Sequence, residues 1–313
     1  MQSVQINKNP RPALVSLVLP ASKSESNRAL ILEALAGKSH TVENLSTARD
    51  TLTLRRLLNS EEKTLDVLDA GTTMRFLAAY LSVTGRQKIL TGTTRMCERP
   101  IGILVDALRA VGADIAYTGR EGFPPLHIRG FKPGGRQEIS MRGDVSSQFI
   151  SAMLMIAPKL ENGLTINLKG KIGSRPYINM TLGLMKNYGV RAEWSENSIF
   201  IPHQDYQAAG YRVDPDWSGA SYWYAMVALA EDANFVLTGH KKESLQGDRV
   251  ISMIMNDLGV RSSFEEPGVL LTKKSNLPEM NFDFSDSPDL AQTVIVTCAA
   301  KGIPGSFMGL ESL

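Results

Sequence analysis

An internal repeat constrains this chain more than any other feature of its sequence. Three stretches end a helical pattern at a glycine and turn directly into a strand: Leu108-Arg109-Ala110-Val111-Gly112-Ala113, Met185-Lys186-Asn187-Tyr188-Gly189-Val190 and Met255-Asn256-Asp257-Leu258-Gly259-Val260. Glycine just past the last helical residue suits a left-handed C-terminal cap. A weaker fourth copy ends at Leu58-Asn59, with Asn in the role of the glycine. The copies lie about 50 to 80 residues apart, too far for a solenoid of helix pairs and too regular to be incidental.

Unit by unit, the order of elements is the same. Gln137 to Met141 alternates as a strand, Ser147 to Ala157 reads as a helix, and Gly163 to Leu168 alternates again. A helix over Tyr177 to Tyr188 follows, then strands over Arg191 to Trp194 and Ser198 to Ile201 around a Glu-Asn turn. The next unit runs through a strand at Tyr211 to Val213, a helix at Ser218 to Ala230, a strand at Phe235 to Leu237, a helix at Arg249 to Leu258 and strands around Glu266-Pro267-Gly268. A last unit opens with Asn281 to Phe284, the helix Pro288 to Ala300 and the strand Gly305 to Met308. Phe149 to Ala157 has almost no polar face, and a helix apolar on all sides is buried. Each unit is therefore expected to place one helix inside and its strands outside, with the abundant Met as core filler.

At 313 residues the chain is long enough for two domains. Its 34 basic and 32 acidic residues nearly balance, which gives no electrostatic case for nucleic acid or a membrane surface. The two cysteines, Cys97 and Cys298, have no metal-type spacing and fit reduced thiols in the cytoplasm. The four histidines (His40, His127, His203, His240) are scattered, which argues against a zinc site. The run Val15 to Leu19 is too short for a signal segment, and no stretch has the length to span a bilayer.

The helices expected to be buried begin alike. Their starts are Ser24-Glu25-Ser26-Asn27, Gly71-Thr72-Thr73, Ser146-Ser147-Gln148 and Ser218-Gly219-Ala220-Ser221. Small hydroxyl residues and glycine there leave backbone N–H groups pointing outward at the positive end of the helix dipole, where an anion binds. Ordinary capping explains any one such start; several in repeating units point to a ligand with more than one anionic group. Basic residues sit beside them: Lys23, Arg28, Arg75, Arg95, Arg99 and Arg175. Asp289 opens an otherwise uncharged helix, and two roles stand level for it: stabilising that helix start, or delivering a carboxylate for proton transfer. Cys97 reads as a passive thiol.

These stretches together resemble the 5-enolpyruvylshikimate-3-phosphate (EPSP) synthases, the 3-phosphoshikimate 1-carboxyvinyltransferases. The resemblance rests on six segments in family order: Leu19-Pro20-Ala21-Ser22-Lys23-Ser24-Glu25-Ser26-Asn27-Arg28-Ala29-Leu30, Asp69-Ala70-Gly71-Thr72-Thr73-Met74-Arg75, Leu90 through Arg95-Met96 to Glu98-Arg99-Pro100-Ile101, Gly143-Asp144-Val145-Ser146-Ser147-Gln148-Phe149, Ser174-Arg175-Pro176-Tyr177-Ile178 and Pro288-Asp289-Leu290-Ala291. It implies an α/β fold, a two-domain inside-out α/β barrel of the enolpyruvyl transferase type built from βαβαββ units. One complete domain of three units is expected over residues 22–210. The second, from 1–21 plus 211–313, is expected to stop before its last one to two units. The ligands would bind in the cleft, which closes on them.

The implied reaction joins shikimate 3-phosphate to phosphoenolpyruvate, on the shikimate route to chorismate and the aromatic amino acids. No metal or organic cofactor is needed, and a cytoplasmic monomer without nucleic-acid or membrane partners is expected. By matching position, Lys23, Ser24, Arg28, Ser146, Ser147, Gln148, Ser174, Tyr177 and Asp289 should hold shikimate 3-phosphate. Lys23, Gly71, Thr72, Arg75, Arg95 and Gln148 should hold phosphoenolpyruvate. Lys23 and Asp289 are the catalytic candidates, Asp289 as the acid/base at the 5-hydroxyl. The resemblance also suggests that glyphosate competes with phosphoenolpyruvate, with Gly71 leaving room for it.

Three departures matter. Asp69 stands where the family often has Asn, so its carboxylate must be turned away or paired to avoid repelling phosphate. Arg175 replaces a common Lys. The family continues past a stretch like Gly309-Leu310-Glu311-Ser312-Leu313 with an Arg-x-Lys-Glu-Thr-Asp-Arg run that supplies a catalytic Glu. The chain is expected to be truncated before that run, with weak activity or none. Two rivals are the enolpyruvyl transferase that uses UDP-N-acetylglucosamine, disfavoured because Cys97 is not in a glycine-rich loop, and a non-catalytic phosphoshikimate-binding fragment.

Overall fold

The computed structural model describes residues 5, 14–37 and 42–310; His40 and Glu311–Leu313 of the sequence argument lie outside that set. Strand β1 (Leu14–Val18) leads into α1 (Lys23–Leu35), β2 (Val42–Glu43) and α2 (Arg49–Leu58). A first full repeat follows: β3 (Thr64–Asp66), α3 (Gly71–Val83), β4 (Lys88–Thr91), the short α4 (Thr94–Cys97), α5 (Gly102–Ala110), β5 (Ala113–Tyr117) and β6 (Leu126–Phe131). The second comprises β7 (Glu138–Arg142), α6 (Ser147–Ile156), β8 (Leu164–Lys169), α7 (Arg175–Asn187), β9 (Glu193–Ser195) and β10 (Ser198–Ile201). After β11 (Tyr211–Arg212) come α8 (Trp217–Leu229), β12 (Asn234–Thr238), α9 (Ile251–Asp257), β13 (Val260–Glu265) and β14 (Gly268–Lys273). The described chain closes with β15 (Met280–Asp283), α10 (Pro288–Lys301) and β16 (Gly305–Met308).

The repeat is explicit in the sheets. Three four-stranded sheets have the orders β3-β4-β6-β5, β7-β8-β10-β9 and β1-β12-β14-β13. In each, the first pair is parallel and the other two pairs are antiparallel. The parallel pair requires a crossover helix, and the antiparallel pairs need only short turns. The sheets stay discrete among the described residues rather than closing into a continuous barrel.

The chain forms two compact units, one of Ala21–Asp214 with Leu245–Gly247, the other of Met1–Pro20, Pro215–Ser244 and Asp248–Leu313. In the larger unit the helices lie at the centre. Every residue of α3 from Gly71 to Ser82 is buried, as is every residue of α6 except Gln148. The two helices pack on each other, and α1 packs on both. The smaller unit has its own core around Trp217, Tyr224 and Phe284, all fully buried. No helix among the described residues is long and apolar enough to cross a membrane.

Gly112, Gly189 and Gly259 adopt φ of 118°, 80° and 95°, the left-handed turn that ends each helix. Asn59 does not share that role: its φ is −97°. Its side chain instead donates to Arg55 O at 3.0 Å, and Arg86 donates to Leu58 O at 3.2 Å. Side chains thus satisfy the last carbonyls of α2 that a left-handed turn would otherwise serve. Two helix starts also differ from expectation. Helix α8 is capped by Asp216, whose carboxylate accepts from Gly219 N at 2.9 Å, so Ser218 lies inside the helix. Helix α7 begins at Arg175, earlier than expected, because Pro176 supplies a helical φ in its first turn.

Leu154, fully buried in α6, tests the central packing. Leu154→Ala should lower unfolding free energy by about 2–5 kcal/mol, measured by urea denaturation.

Candidate active site

Two buried arginines of the larger unit, Arg28 and Arg75, lie near the starts of its central helices α1 and α3. Arg28, one turn into α1, is 2% exposed. Its Nε donates to Thr181 Oγ1 at 2.7 Å, Nη2 to Ser151 Oγ at 3.0 Å and Nη1 to Ser24 O at 2.9 Å. Its guanidinium carbon stands 5.4 Å from the Phe76 ring centre and 5.8 Å from that of Tyr177. One side chain therefore touches α1, α3, α6 and α7. Among the described residues no carboxylate forms an ion pair with it. Burial pushes Arg28 down to about 10, against the pull of Tyr177 and Glu25, so it stays charged at neutral pH.

Arg75 repeats the pattern on α3. It is buried, its Nη1 donates to Gly71 O at 2.7 Å, and its Nε has no hydrogen-bond partner. Burial, followed by the charge of Arg99, lowers it to about 10. The two guanidinium groups meet over Gly71, where a Cβ would lie 2.5 Å from Arg99 Nη1 and 2.6 Å from Arg75 Nη1. A side chain here would require the guanidinium groups to shift. The first turn of α3 has no capping side chain, so the amides of Gly71, Thr72 and Thr73 point out beside two cations. On α6, which meets Arg75 through the Phe149 ring at 5.4 Å, Gln148 Oε1 is buried without a partner. Like charges converging on uncapped amides and an unpartnered amide oxygen are costly unless a ligand completes them.

The other candidates are placed as follows. Lys23 is exposed and Ser24 half-buried in the first turn of α1. Ser146 spends its hydroxyl on capping α6, accepting from Gln148 N at 3.4 Å, whereas Ser147 is buried in the first turn. Ser174 precedes α7 in a left-handed conformation, φ 52°, with no capping bond, and Tyr177 lies a turn further on. A non-glycine residue there carries backbone strain of the kind found at ligand sites. Arg95 is exposed in α4; it is Arg99 from the same loop that reaches Gly71. The sequence singled out Arg99 as basic but gave no reason to prefer it. Asp69 is paired with Arg49 at 3.1 Å, which neutralises the carboxylate beside the α3 start.

Asp289 is placed in the smaller unit, exposed in the first turn of α10. Its charge reaches Asp248, which is buried and accepts a hydrogen bond from Ser218. Burial is the main cause that lifts Asp248 to about 7, with the charges of Asp289 and Asp216 adding to it and the Ser218 bond opposing. No feature of the sequence distinguished Asp248 from a surface acid.

The profile of the family described as EPSP synthase (3-phosphoshikimate 1-carboxyvinyltransferase) matches residues 53–309. The chain belongs to the EPSP synthase family. The 3-phosphoshikimate 1-carboxyvinyltransferase of Bacteroides fragilis (strain YCH46) is 49% identical over 306 residues, covering 97% of this chain and 74% of the relative. That of Cronobacter sakazakii is 38% identical over 314 residues, covering 91% and 72%. An EPSP synthase structure from Acinetobacter baumannii shares the fold with a TM-score of 0.72 at 19% identity, over 91% of this chain and 70% of that one. These relatives carry the phosphoshikimate activity in their names, and the UDP-N-acetylglucosamine rival is not favoured.

Two predictions follow from burial. Arg75→Met removes a buried cation that forms no ion pair with a carboxylate among the described residues, so unfolding free energy should hold or rise by about 1–2 kcal/mol; thermal stabilisation by inorganic phosphate should be lost. Because the Asp248 carboxyl is raised in the fold, the stability it contributes is complete below its unfolded value and is lost as pH rises through about 7. Asp248→Asn should therefore match the parent only below about pH 4 and melt progressively higher than it up to about pH 7 and above.

Proposed function

We infer that the chain transfers the enolpyruvyl group of phosphoenolpyruvate to the 5-hydroxyl of shikimate 3-phosphate and releases phosphate. The observation that carries this reading is the pair of buried guanidinium groups, Arg28 among α1, α3, α6 and α7 and Arg75 at the uncapped start of α3, neither in an ion pair with a carboxylate among the described residues. Two phosphorylated, carboxylated substrates are the anions such a set of donors would compensate. Lys23, Ser24, Arg28, Ser146, Ser147, Ser174 and Tyr177 are assigned to shikimate 3-phosphate, and Gly71, Thr72, Arg75 and Arg95 with Lys23 to phosphoenolpyruvate. Gln148 serves both. Arg99 joins the phosphoenolpyruvate set on the strength of its approach to Gly71.

In this scheme the 5-hydroxyl oxygen bonds to the enol carbon while the methylene carbon takes a proton. The tetrahedral intermediate then breaks its carbon–oxygen bond to phosphate and returns a proton from the methyl group, which restores the double bond. Charge on the leaving phosphate grows during that step, and fixed cations lower its barrier most when they need no reorganisation. Arg75, assigned to phosphoenolpyruvate, is held by packing and so meets that condition. Asp289 is assigned to the 5-hydroxyl proton. The unpaired thiols of Cys97 and Cys298 support a cytoplasmic setting, and a monomer is the form proposed.

Calorimetric titration with shikimate 3-phosphate, followed by a phosphate-release assay with phosphoenolpyruvate, tests the reading. The chain should bind shikimate 3-phosphate. Ser147→Ala should weaken binding by about tenfold, the scale of one hydrogen bond to a charged group, and Lys23→Met should weaken it further. Release of phosphate would assign the transfer to this chain. Binding without release would confine it to substrate binding, and no binding by folded protein would overturn the assignment.

A further inference from the structure

Glu25 shares the first turn of α1 with Lys23 and Ser24, yet it is 1% exposed and turned away from solvent. Its Oε1 accepts from the Tyr211 hydroxyl in a short bond and from Asp214 N at 3.2 Å. Its Oε2 accepts from Gln246 Nε2 at 3.0 Å. The backbone adds a parallel tie, Ser22 N to Asp214 O at 3.0 Å. Gln246 is itself 3% exposed and sits in the Leu245–Gly247 loop. That loop is pressed against α7: a Cβ on Gly183 would lie 2.7 Å from Leu245 Cδ2, and one on Gly247 would lie 2.2 Å from Pro176 Cβ. The carboxylate thus connects the start of α1, the segment at Tyr211–Asp214 and, through Gln246, the start of α7.

We propose that Glu25 is a positioning residue, which holds the first turns of α1 and α7 in fixed relation by gathering Tyr211, the Asp214 amide and Gln246 on one carboxylate. Its functional meaning rests on the assignment of Lys23, Ser24, Ser174 and Tyr177 to shikimate 3-phosphate. All three bonds need acceptor oxygens, so they are complete only when Glu25 is ionised. A proton on Oε2 would face the Gln246 N–H and force that amide to turn or leave.

Burial is the largest influence on Glu25 and lifts it to about 7; the Tyr211 and Asp214 amide bonds oppose this, the Asp214 charge adds to it and Gln246 opposes it. The charged or titratable groups around it are Tyr211 and Asp214 on the crossing segment and Arg28 on α1 itself. Tyr211 is raised by its own burial and by Glu25, so it remains a neutral donor. With the folded value above the unfolded one, ionisation of Glu25 lowers stability as pH rises through about 7 while it completes the link to Gln246. The link is therefore a property of the neutral-to-alkaline protein.

Amide hydrogen exchange on the whole chain at pH 6 and pH 8, corrected for intrinsic rates, tests this without any ligand. Protection of the 244–248 segment should rise roughly tenfold between the two pH values, the range that spans the titration, while that of the Asp214 amide, whose acceptor is Oε1, should stay level. E25Q should show low protection at both. Q246L, which keeps the carboxylate, should lose protection only in 244–248 and serves if E25Q folds poorly. Shikimate 3-phosphate affinity should then rise with pH by about fivefold more in the parent than in E25Q; the ionisation of the ligand's phosphate is common to both and cancels. Parent-like protection in both variants, or identical pH profiles of affinity, would overturn the proposal. Failure of the parent to bind would sink the substrate assignment alone, because the exchange result decides the link separately.

Discussion

The Arg28 guanidinium is a cation enclosed by four helices and met by a hydroxyl pair, a main-chain carbonyl and two aromatic rings, with no ion pair to a carboxylate among the described residues. Removing such a charge from water costs several kcal/mol, and the larger unit is arranged so that neutral acceptors offset part of that cost. Thr181 and Ser151 are tied to each other as well, at 2.8 Å, so the acceptors are fixed before the cation meets them. This small polar cluster ties α6 and α7 to α1 within the apolar packing that surrounds it. The incomplete compensation is what prepares the region for an anion.

Arg75 extends the same logic to α3. A single buried cation can be made tolerable by dipoles, but two guanidinium groups converging on one glycine repel each other. The fold accepts that repulsion at the uncapped end of a helix, where the dipole adds to the positive potential. Asp69, the acid nearest in sequence to this point, pairs with Arg49 at the surface, and Asp50 offsets part of the charge on Arg75. Membership of the EPSP synthase family and the electrostatics of the larger unit therefore lead to the same class of ligand by separate routes.

The periodic part of the fold was legible in the sequence because its causes are local. Glycines at 112, 189 and 259 end helices through their own backbone freedom, and apolar runs such as Phe149 to Ala157 bury themselves whatever their partner. Asn59 misled for a related reason: its side chain can close a helix without the left-handed turn, a choice the one-letter pattern does not reveal. The polar partners were not legible. Thr181 and Ser151 stand far from Arg28 along the chain and meet it only through the rotation of three helices. Likewise it is Arg99, beyond the four-residue helix that carries Arg95, that reaches Gly71, and Asp216 rather than Ser218 caps α8 because the helix starts one residue earlier, at Trp217.

The pairing of β2 with β11 brings the last strand of the larger unit beside its first, and the Ser22–Asp214 bond joins the points where the chain enters and leaves it. Once residue 214 has been synthesised, all of that unit is present except the three residues Leu245–Gly247. It can therefore condense while the remainder is still being made. Strand β1 has the opposite fate. It is made first, yet its partner β12 does not exist until Asn234–Thr238 has emerged. A strand with exposed Leu14 and Val18 thus waits for a partner made more than two hundred residues later, so in the order of biosynthesis β1 pairs only after the residues of the larger unit up to Asp214 are present.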